Sequence, residues 1–233
     1  FFWFIFTYTG KVPPTSLPSL SAVKDTFIEM LKSGQLSNDL SLSLRRVLAG
    51  FFISSILGIS LGIFMGISSK AKEFFQLTLT AIRQIPMIAW IPLIILWAGI
   101  GEVSKIVVIL FAATFPIVVN TMGGVDSTSE TYLEVAKMYG LSKKDTFFKV
   151  YLPSALPNIF TGLRLGLGAS WMAVVASELI ASSSGIGYRL NDARSLMRSD
   201  VVIVCMIIIG LVGLLMDKLI VLISHELTPW KKN

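Results

Sequence analysis

The feature that most constrains this chain is a series of apolar runs, each about 20 residues long, separated by short polar segments. Hydrophobic residues make up 54% of the 233 residues and charged residues only 15%, whereas soluble domains average about 25% charged residues. At membrane depth every backbone polar group must be hydrogen-bonded within the protein, which leaves helices or a closed barrel. Because the runs are long and do not alternate, the sequence predicts an all-α membrane protein.

Five complete membrane spans are predicted, preceded by the remnant of another. The complete spans cover residues 47–67, 74–98, 103–122, 155–181 and 201–223. Residues 1–8 are apolar but too short to cross a bilayer, so we interpret them as the tail of an N-terminal helix whose start is missing. Pro86 and Pro92 predict a kink or break in the second complete span, because proline removes helix hydrogen bonds.

The same patterns divide the chain into four parts: a helix remnant and loop at 1–16, an amphipathic segment at 17–46, a core membrane domain at 47–224 and a tail at 225–233. Within the amphipathic segment, apolar residues at helical spacing predict a helix over 22–33 that lies on the membrane or on the protein. In the core, Gly58, Gly62 and Gly66 recur at every fourth position. They predict a close contact between two helix backbones.

The charges exclude several classes of function. The net charge is +6, but the basic residues are scattered between apolar runs, which is typical of membrane-helix flanks and not of a nucleic-acid surface. The numbers of Lys and Arg on the two predicted sides of the membrane are similar, so they do not decide which side faces the cytoplasm.

His225 has no second ligand candidate nearby, so no metal site is predicted. The chain has no G-x-x-x-x-G-K-[ST] loop and is not expected to bind ATP.

The polar segment 123–153 is too long for a simple turn. Its sequence over 134–153, EVAKMYGLSKKDTFFKVYLP, predicts two short helices around Gly140. Ser142 followed by Asp145 resembles a helix N-cap, and Pro153 is typical of a helix start. On these residues alone, the segment could be a docking element for a soluble partner or an ordinary interfacial loop.

This segment resembles the characteristic cytoplasmic loop of the membrane subunits of bacterial ABC importers. That loop has the pattern Glu-Ala-Ala, three residues, Gly, nine residues, Ile, any residue, Leu-Pro. The matching residues are Glu134, Ala136, Gly140, Leu152 and Pro153, while Val135 and Val150 stand where the pattern has Ala and Ile.

The resemblance extends from about residue 17 to residue 230. The stretches RQIPMIAWIPLIILWAGIGE at 83–102, FPIVVNT at 115–121 and SELIASSSGIGYRLNDAR at 177–194 resemble the branch for nitrate, taurine and aliphatic sulfonates. Importers of riboflavin and thiamine precursors have similar subunits and remain an alternative. The resemblance implies a multi-pass protein of the bacterial plasma membrane with the type I importer fold, in which an N-terminal helix precedes five core helices. It places 123–153 in the cytoplasm, and 10–45 and 181–200 outside.

The resemblance also implies partners and a mechanism. A second copy of the chain would pair with this one in the lipid bilayer, two cytoplasmic ATPase subunits would bind ATP and Mg, and an external binding protein would deliver the cargo. The chain itself would be a non-catalytic subunit without a cofactor. The residues expected to couple it to the ATPase are Glu134, Ala136, Lys137, Gly140, Leu141, Lys143, Leu152 and Pro153.

Polar and aromatic residues within the spans are candidates for the translocation pathway of a small, anionic cargo. They are Arg83, Trp90, Asn120, Arg164, Ser170, Trp171 and Glu178. Each also has a structural interpretation: the arginines as anchors on the cytoplasmic side, Glu178 as a structural residue near the outer mouth, and the others as packing or interhelical contacts. Arg164 and Glu178 share a helix face but lie about 21 Å apart along it, so each needs its own partner.

The sequence disfavours two other classes of function. An ion-driven secondary transporter would predict inverted repeats and acidic residues at the midplane, and the sequence has neither feature. A membrane enzyme would need a cluster of catalytic residues within the spans, which is also absent from the sequence.

Overall fold

The computed structural model describes residues 16–229 together with Trp3 and Pro13. This part of the chain forms helices and no strand, so the all-α prediction is confirmed. The helices are α1 (Leu20–Lys32), α2 (Gln35–Ile67), α3 (Ser69–Gln84), α4 (Met87–Ala98), α5 (Glu102–Asp126), α6 (Glu130–Met138), α7 (Lys143–Thr146), α8 (Leu152–Ala181), α9 (Ile186–Ser195) and α10 (Ser199–Leu227). A π-helical turn, Phe147–Tyr151, joins α7 to α8. The predicted N-terminal remnant, apart from Trp3, lies outside the described residues.

Four helices, α2, α5, α8 and α10, are long and apolar enough to cross a membrane. The pair α3 and α4 meets at a bend of 99° and forms either a fifth, broken span or a re-entrant loop. The break falls at Ile85, whose extended backbone is the conformation favoured before Pro86. Pro92 lies inside α4, so only one of the two prolines breaks this segment.

The helix α2 is longer than the span predicted at 47–67. It begins at Gln35 and has 33 residues, which gives a length of about 50 Å. Its additional part contains Asp39, Ser43 and Arg46, which are buried and recur one turn apart on one face. This segment resembles a polar flank in the sequence, yet it is a packed continuation of the membrane helix.

A glycine stripe on α2 holds α5 at close range. A Cβ atom at Gly58 would lie 2.7 Å from Ile117 Cγ2, and one at Gly62 would lie 2.6 Å from Thr121 Cβ. Such distances leave no room for a side chain, so the predicted helix–helix contact is confirmed. The contact pairs are Gly50–Ile109, Gly58–Ile117, Gly62–Thr121 and Gly66–Val125. Their constant offset in residue number means that α2 and α5 run parallel.

The helix α8 packs antiparallel against the other side of α5. A Cβ at Gly124 of α5 would lie 2.8 Å from the Cβ of Asn158, and one at Gly166 of α8 would lie 2.8 Å from Ile117 Cγ1. Small residues therefore allow close packing on both sides of α5, as expected where packing drives helix association. The three helices α2, α5 and α8 form the centre of the described fold.

The remaining helices cover this centre at its sides and ends. The amphipathic prediction for 22–33 is confirmed by α1, which buries Val23 and Met30. The Thr26 hydroxyl donates to Asp200 Oδ2 of α10 over 2.7 Å. At one end lie the start of α5, the end of α8 and α9, which we call the Arg46 end. At the other end α6 and α7 connect α5 to α8, and we call it the loop end.

Candidate functional site

The loop-end segment consists of two short helices that turn sharply at Gly140. Gly140 adopts a left-handed backbone, with φ of +65°, which glycine accepts without steric cost. Its N–H donates to Lys137 O, and the N–H of Leu141 donates to Ala136 O, each over 3.0 Å. This pair of bonds is a Schellman motif, which satisfies the last carbonyls of α6. The predicted turn between two helices is confirmed.

The second short helix is capped as the sequence predicts. The Ser142 hydroxyl oxygen accepts a hydrogen bond from the Asp145 N–H over 3.1 Å, and the hydroxyl donates to the Asp145 carboxylate. Lys149 forms an ion pair with Asp145 at 3.1 Å, one turn further on. These contacts fix the direction in which α7 leaves the turn.

Most of the predicted coupling residues lie on one solvent-exposed surface. Glu134, Lys137 and Lys143 are exposed, whereas Ala136 is 4% exposed and forms the floor of a groove. The groove has a volume of about 730 Å³ and lies between α6 and the start of α8. Its lining residues are Tyr132, Val135, Ala136, Tyr139, Leu141, Lys149, Val150, Pro153, Ser154, Pro157 and Asn158. Leu152 is partly buried where α8 begins.

A second cavity brings together three of the predicted pathway residues. Arg83, Trp90 and Asn120 line one open cavity of about 320 Å³. Trp90 contacts Phe111 with ring centroids 5.5 Å apart, so one wall is aromatic. The Asn120 amide donates to Pro116 O over 2.7 Å. Arg83 is exposed, and within residues 16–229 it has no ion-pair partner. The cavity therefore combines an aromatic wall with an available cation.

The other four pathway candidates lie outside this cavity. Ser170 is buried and donates to Gly166 O over 2.8 Å, and Trp171 is buried with its Nε1–H donating to Ile209 O over 3.0 Å. Arg164 forms a two-point ion pair with Asp217 of α10. These contacts give Ser170 and Trp171 a packing role within the chain.

Glu178, the last candidate, belongs to a buried polar network around Arg46. Arg46 is 4% exposed and uses all five of its N–H donors. It donates to both carboxylate oxygens of Glu102 at 2.7 and 2.6 Å, to Glu178 Oε1 at 2.7 Å, and to the carbonyl and hydroxyl oxygens of Ser184 at 3.0 Å. Arg46 therefore ties α2 to α5, α8 and the loop before α9.

The loop at residues 182–185 and the first residues of α9 complete this network with their backbone N–H groups. Gly185 N–H donates to Asp39 Oδ1 at 3.2 Å, Ile186 N–H to Ser43 Oγ at 3.0 Å, and Gly187 N–H to Glu178 Oε2 at 3.0 Å. A Cβ at Gly185 would lie 2.4 Å from the Glu178 carboxyl group. Only glycine allows this approach.

The buried charges of the network are all paired. Lys105 pairs with Glu102 at 3.1 Å, and Arg189 pairs with Asp39 at 2.8 Å and with the partly exposed Asp192 at 3.6 Å. Together with Arg46 and Glu178, three cations face four carboxylates. A buried charge is tolerated when it is paired and hydrogen-bonded, so the network is a structural unit whose buried charges are compensated. The structural interpretation of Glu178 is the one that this geometry supports.

The sequence pattern identified Glu178 but not its partners. Arg46 and Asp39 precede the apolar run of α2, and therefore resembled a polar flank. Asp217 was not singled out, although it lies inside the span predicted at 201–223. A usable signal was the rule that each charge within a span needs an opposite charge. Among the described residues no cluster of His, Cys, Asp or Glu is suited to a metal ion.

Comparison with known proteins identifies the family. Residues 54–228 match the family model described as "Binding-protein-dependent transport system inner membrane component". The chain is 40% identical over 224 residues to a putative ABC transporter permease protein of Methanocaldococcus jannaschii, covering 94% of this chain and 84% of that protein. It is 37% identical to a putative aliphatic sulfonates transport permease of Bacillus subtilis, covering 99% and 84%. With the taurine transport permease of Escherichia coli it shares 31% identity, covering 98% and 85%.

A solved structure gives the same answer for the fold. The chain superposes on a chain of an amino acid ABC transporter with a TM-score of 0.69, covering 86% of this chain and 98% of that one, at 17% sequence identity. The predicted type I importer fold is therefore confirmed, as is the resemblance to the sulfonate, taurine and nitrate branch. The protein is a multi-pass protein of the bacterial plasma membrane. This chain belongs to the family of inner membrane components, or permeases, of binding-protein-dependent ABC importers.

Proposed function

We propose that this chain is the permease subunit through which a separate ATPase drives the uptake of a small anion. The observation that carries the proposal is the loop-end segment, in which Glu134, Ala136 and Gly140 stand at the spacing of the importer loop. The side chain of Glu134 is exposed, and Ala136, two residues further on, forms the floor of the groove. A largely apolar groove with Lys149 in its wall can accept a helix or loop of a soluble partner.

The segment is built to transmit force. Lys143–Ala181 is helical without a break, from α7 through the π-helical turn to the end of α8. Because α8 packs closely on α5 through Gly162 and Gly166, a displacement of α7 must move the membrane helices as well. Packed helices shift between discrete arrangements more readily than they deform. A movement of the ATPase would thus reach the pathway through α8.

The free energy for transport comes from the difference between the affinities of ATP for two arrangements of the ATPase. ATP, with Mg, is bound by two ATPase subunits, one under each copy of this chain, and favours their closed arrangement. A ligand shifts an equilibrium only by the difference between its affinities for the two states, and moving a population from 1:99 to 99:1 needs about 5.5 kcal/mol. An external binding protein delivers the cargo at the Arg46 end. The chain holds no cofactor of its own.

The cavity with Arg83, Trp90 and Asn120 supports an anionic cargo. Arg83 is not neutralised by any residue of the described chain, so its charge is available to a solute. The relatives are described as permeases for aliphatic sulfonates and taurine, and both kinds of compound carry a sulfonate group. We infer that the pathway carries a small sulfonate-type or nitrate-type anion past Arg83.

The coupling part is tested by uptake into proteoliposomes that contain the chain, its ATPase and its binding protein. Glu134→Lys and Gly140→Val should each reduce ATP-driven uptake at least tenfold. Glu73→Lys is the matched control, because Glu73 is exposed on α3 outside the loop pattern. Uptake that persists without the ATPase, or is unchanged in both variants, would contradict the proposal.

The cargo part is tested separately with Arg83→Gln. This variant should raise the concentration of taurine or alkanesulfonate that gives half-maximal uptake, while ATP hydrolysis in the absence of cargo stays normal. Arg45→Gln is the control, because Arg45 is exposed on α2 and does not line the cavity. An equal effect of both variants would refute the role of Arg83.

A further inference from the structure

An apolar groove runs between the amphipathic helix α1 and the membrane helix α10. It has a volume of about 280 Å³, and seven of its eight lining residues are apolar. Three of them, Leu20, Ile207 and Leu211, are each about half exposed, so the groove is open at the surface of the described chain. The full lining consists of Leu20, Val23, Lys24 and Phe27 of α1 with Val204, Ile207, Ile208 and Leu211 of α10.

The position of the groove along α10 corresponds to the lipid leaflet at the Arg46 end. The charged residues Arg198 and Asp200 mark the polar boundary there, and residues 201–216 carry no charge. Val204 and Leu211 lie 4 and 11 residues beyond Asp200, which is about 6 and 17 Å along the helix axis. One leaflet is about half of a hydrocarbon layer of about 30 Å. The groove therefore covers the depth at which its surroundings are acyl chains.

Lys24 is the charged member of the lining, and it lies at the polar end of the groove. The hydroxyl of Thr26, two residues further along α1, donates to Asp200 Oδ2 over 2.7 Å. Lys24 is therefore displaced from that contact by only about 3 Å along α1. A lysine can lay its aliphatic stem along apolar surface while its ammonium group stays in the polar layer. The ammonium group of Lys24 can thus reach the level of the lipid headgroups.

The charge of Lys24 is available to a ligand. Lys24 is exposed, and among the described residues it has no ion-pair partner. Asp200 is already engaged, because it accepts from Thr26 and pairs with Arg198 at 2.8 Å. The positions one helical turn from Lys24 on either side also lack a carboxylate; they are Leu20, Ser21, Phe27 and Ile28.

We propose that the groove between α1 and α10 binds an anionic phospholipid, with an acyl chain in the groove and the phosphate group at Lys24. A free phosphate would use only the cation and a neutral lipid only the groove, whereas an anionic phospholipid uses both. Basic residues beside membrane helices bind anionic headgroups in this way. The bound chain fills the gap between α1 and α10 and holds α1 against the span. This inference does not depend on the cargo or the coupling role proposed above.

Photo-labelling of the whole transporter complex tests the proposal. The complex is placed in nanodiscs of equal parts phosphatidylglycerol and phosphatidylcholine, with a diazirine in an acyl chain of one lipid or the other. Labelled peptides are identified by mass spectrometry. Labelling by phosphatidylglycerol should be stronger at residues 20–27 and 204–211 than at residues 212–223, where α10 also exposes apolar side chains. Since one lysine near a membrane surface changes the affinity for anionic lipid about fivefold, phosphatidylcholine should label the groove about fivefold less.

Three outcomes of the labelling would overturn the assignment. Equal labelling of the groove and of residues 212–223 would mean that the lipid contact is not specific. Equal labelling by the two lipids would mean that Lys24 does not select an anionic headgroup. Absence of label from the groove in both preparations would mean that another part of the protein covers it.

Variants separate the role of the charge from that of the groove. Lys24→Gln should lower labelling by phosphatidylglycerol about fivefold and leave labelling by phosphatidylcholine unchanged. Lys32→Gln is the matched control and should change neither, because Lys32 is exposed on the same helix but does not line the groove. Ile207→Trp fills the groove at a half-exposed position and should lower labelling by both lipids. Unchanged labelling by phosphatidylglycerol in either Lys24→Gln or Ile207→Trp would refute the site.

Discussion

Replacement of Arg46 by Met is the perturbation that most directly tests the network at the Arg46 end. The variant keeps the side-chain length but removes five hydrogen bonds and the cation that faces Glu178, whose side chain is 0% exposed. Breaking a buried ion pair by removing one partner costs about 3–5 kcal/mol, because the remaining charge is buried and uncompensated. We expect Arg46→Met to lower the free energy of unfolding by that amount.

Single replacements of the carboxylates of Glu178 and Glu102 should lower the free energy of unfolding by less than Arg46→Met does, and by different amounts. Glu178→Gln keeps the shape of the side chain and leaves Arg46 paired with Glu102, so a cost of about 1–3 kcal/mol is expected for the imperfectly satisfied buried group. Glu102 is 59% exposed, so water can replace it as a partner of Arg46, and a cost of about 0.5–1.5 kcal/mol is expected for Glu102→Gln. The expected order of destabilisation is Arg46→Met, then Glu178→Gln, then Glu102→Gln.

The double variant provides the sharpest outcome. In Arg46→Met with Glu178→Gln, no uncompensated charge remains buried, so the double variant should be more stable than Arg46→Met alone. Contacting residues of one network show coupling energies of about 0.5–3 kcal/mol. Titration of the purified protein from mild detergent into sodium dodecyl sulfate, followed by tryptophan fluorescence, measures these differences. The reasoning is refuted if the double variant is no more stable than Arg46→Met, or if Glu102→Gln costs as much as Arg46→Met.

Three further predictions use the same unfolding assay or amide exchange. Gly62→Val should lower the free energy of unfolding by about 1–3 kcal/mol or more, because its Cβ would lie 2.6 Å from Thr121 Cβ and 2.8 Å from Val118 O. Gly123→Val is the control and should be tolerated, since the space around its Cβ is open. Ser142→Ala removes the N-cap of α7, which stabilises the helix locally by about 0.5–2 kcal/mol. It should speed amide hydrogen exchange at residues 143–146 without changing the free energy of global unfolding. Unchanged exchange would contradict the capping role. Trp171→Phe loses the bond to Ile209 O and should cost about 1 kcal/mol, while Trp97→Phe, at a side chain 68% exposed, should be neutral.

Several elements of the fold could be predicted because their signals are local. The glycine spacing of α2 predicted a backbone contact, since glycines four residues apart must lie on one helix face. The turn at Gly140 and the cap at Ser142 were predicted because each depends on residues within one turn of helix. Pro86 likewise predicted the break between α3 and α4, because proline removes helix hydrogen bonds. The extended backbone of Ile85 adds the steric effect of proline on the residue before it.

The candidate site was only partly predictable for the opposite reason. Arg83, Trp90 and Asn120 were selected as polar or aromatic residues within spans, but only the arrangement of α3, α4 and α5 shows that they share a cavity. Trp171 was selected by the same rule, and its contact with Ile209 of α10 gives it a packing role instead. Residue type indicates which side chains are costly to bury in a membrane, but not which neighbour offsets that cost.

The amino-acid sequence by itself determined that this protein lies in a membrane, that it is helical and where in the chain the loop-end segment lies. These properties follow from hydropathy, periodicity and short-range spacing, which act within about 20 residues of chain. Only the tertiary structure decided that Arg46 joins Glu102 and Glu178, and that Arg164 finds Asp217. These partners are between 53 and 132 residues apart in the chain. Charges at membrane depth are costly unless they are paired or face a water-filled cavity, but which charges meet depends on how the helices pack.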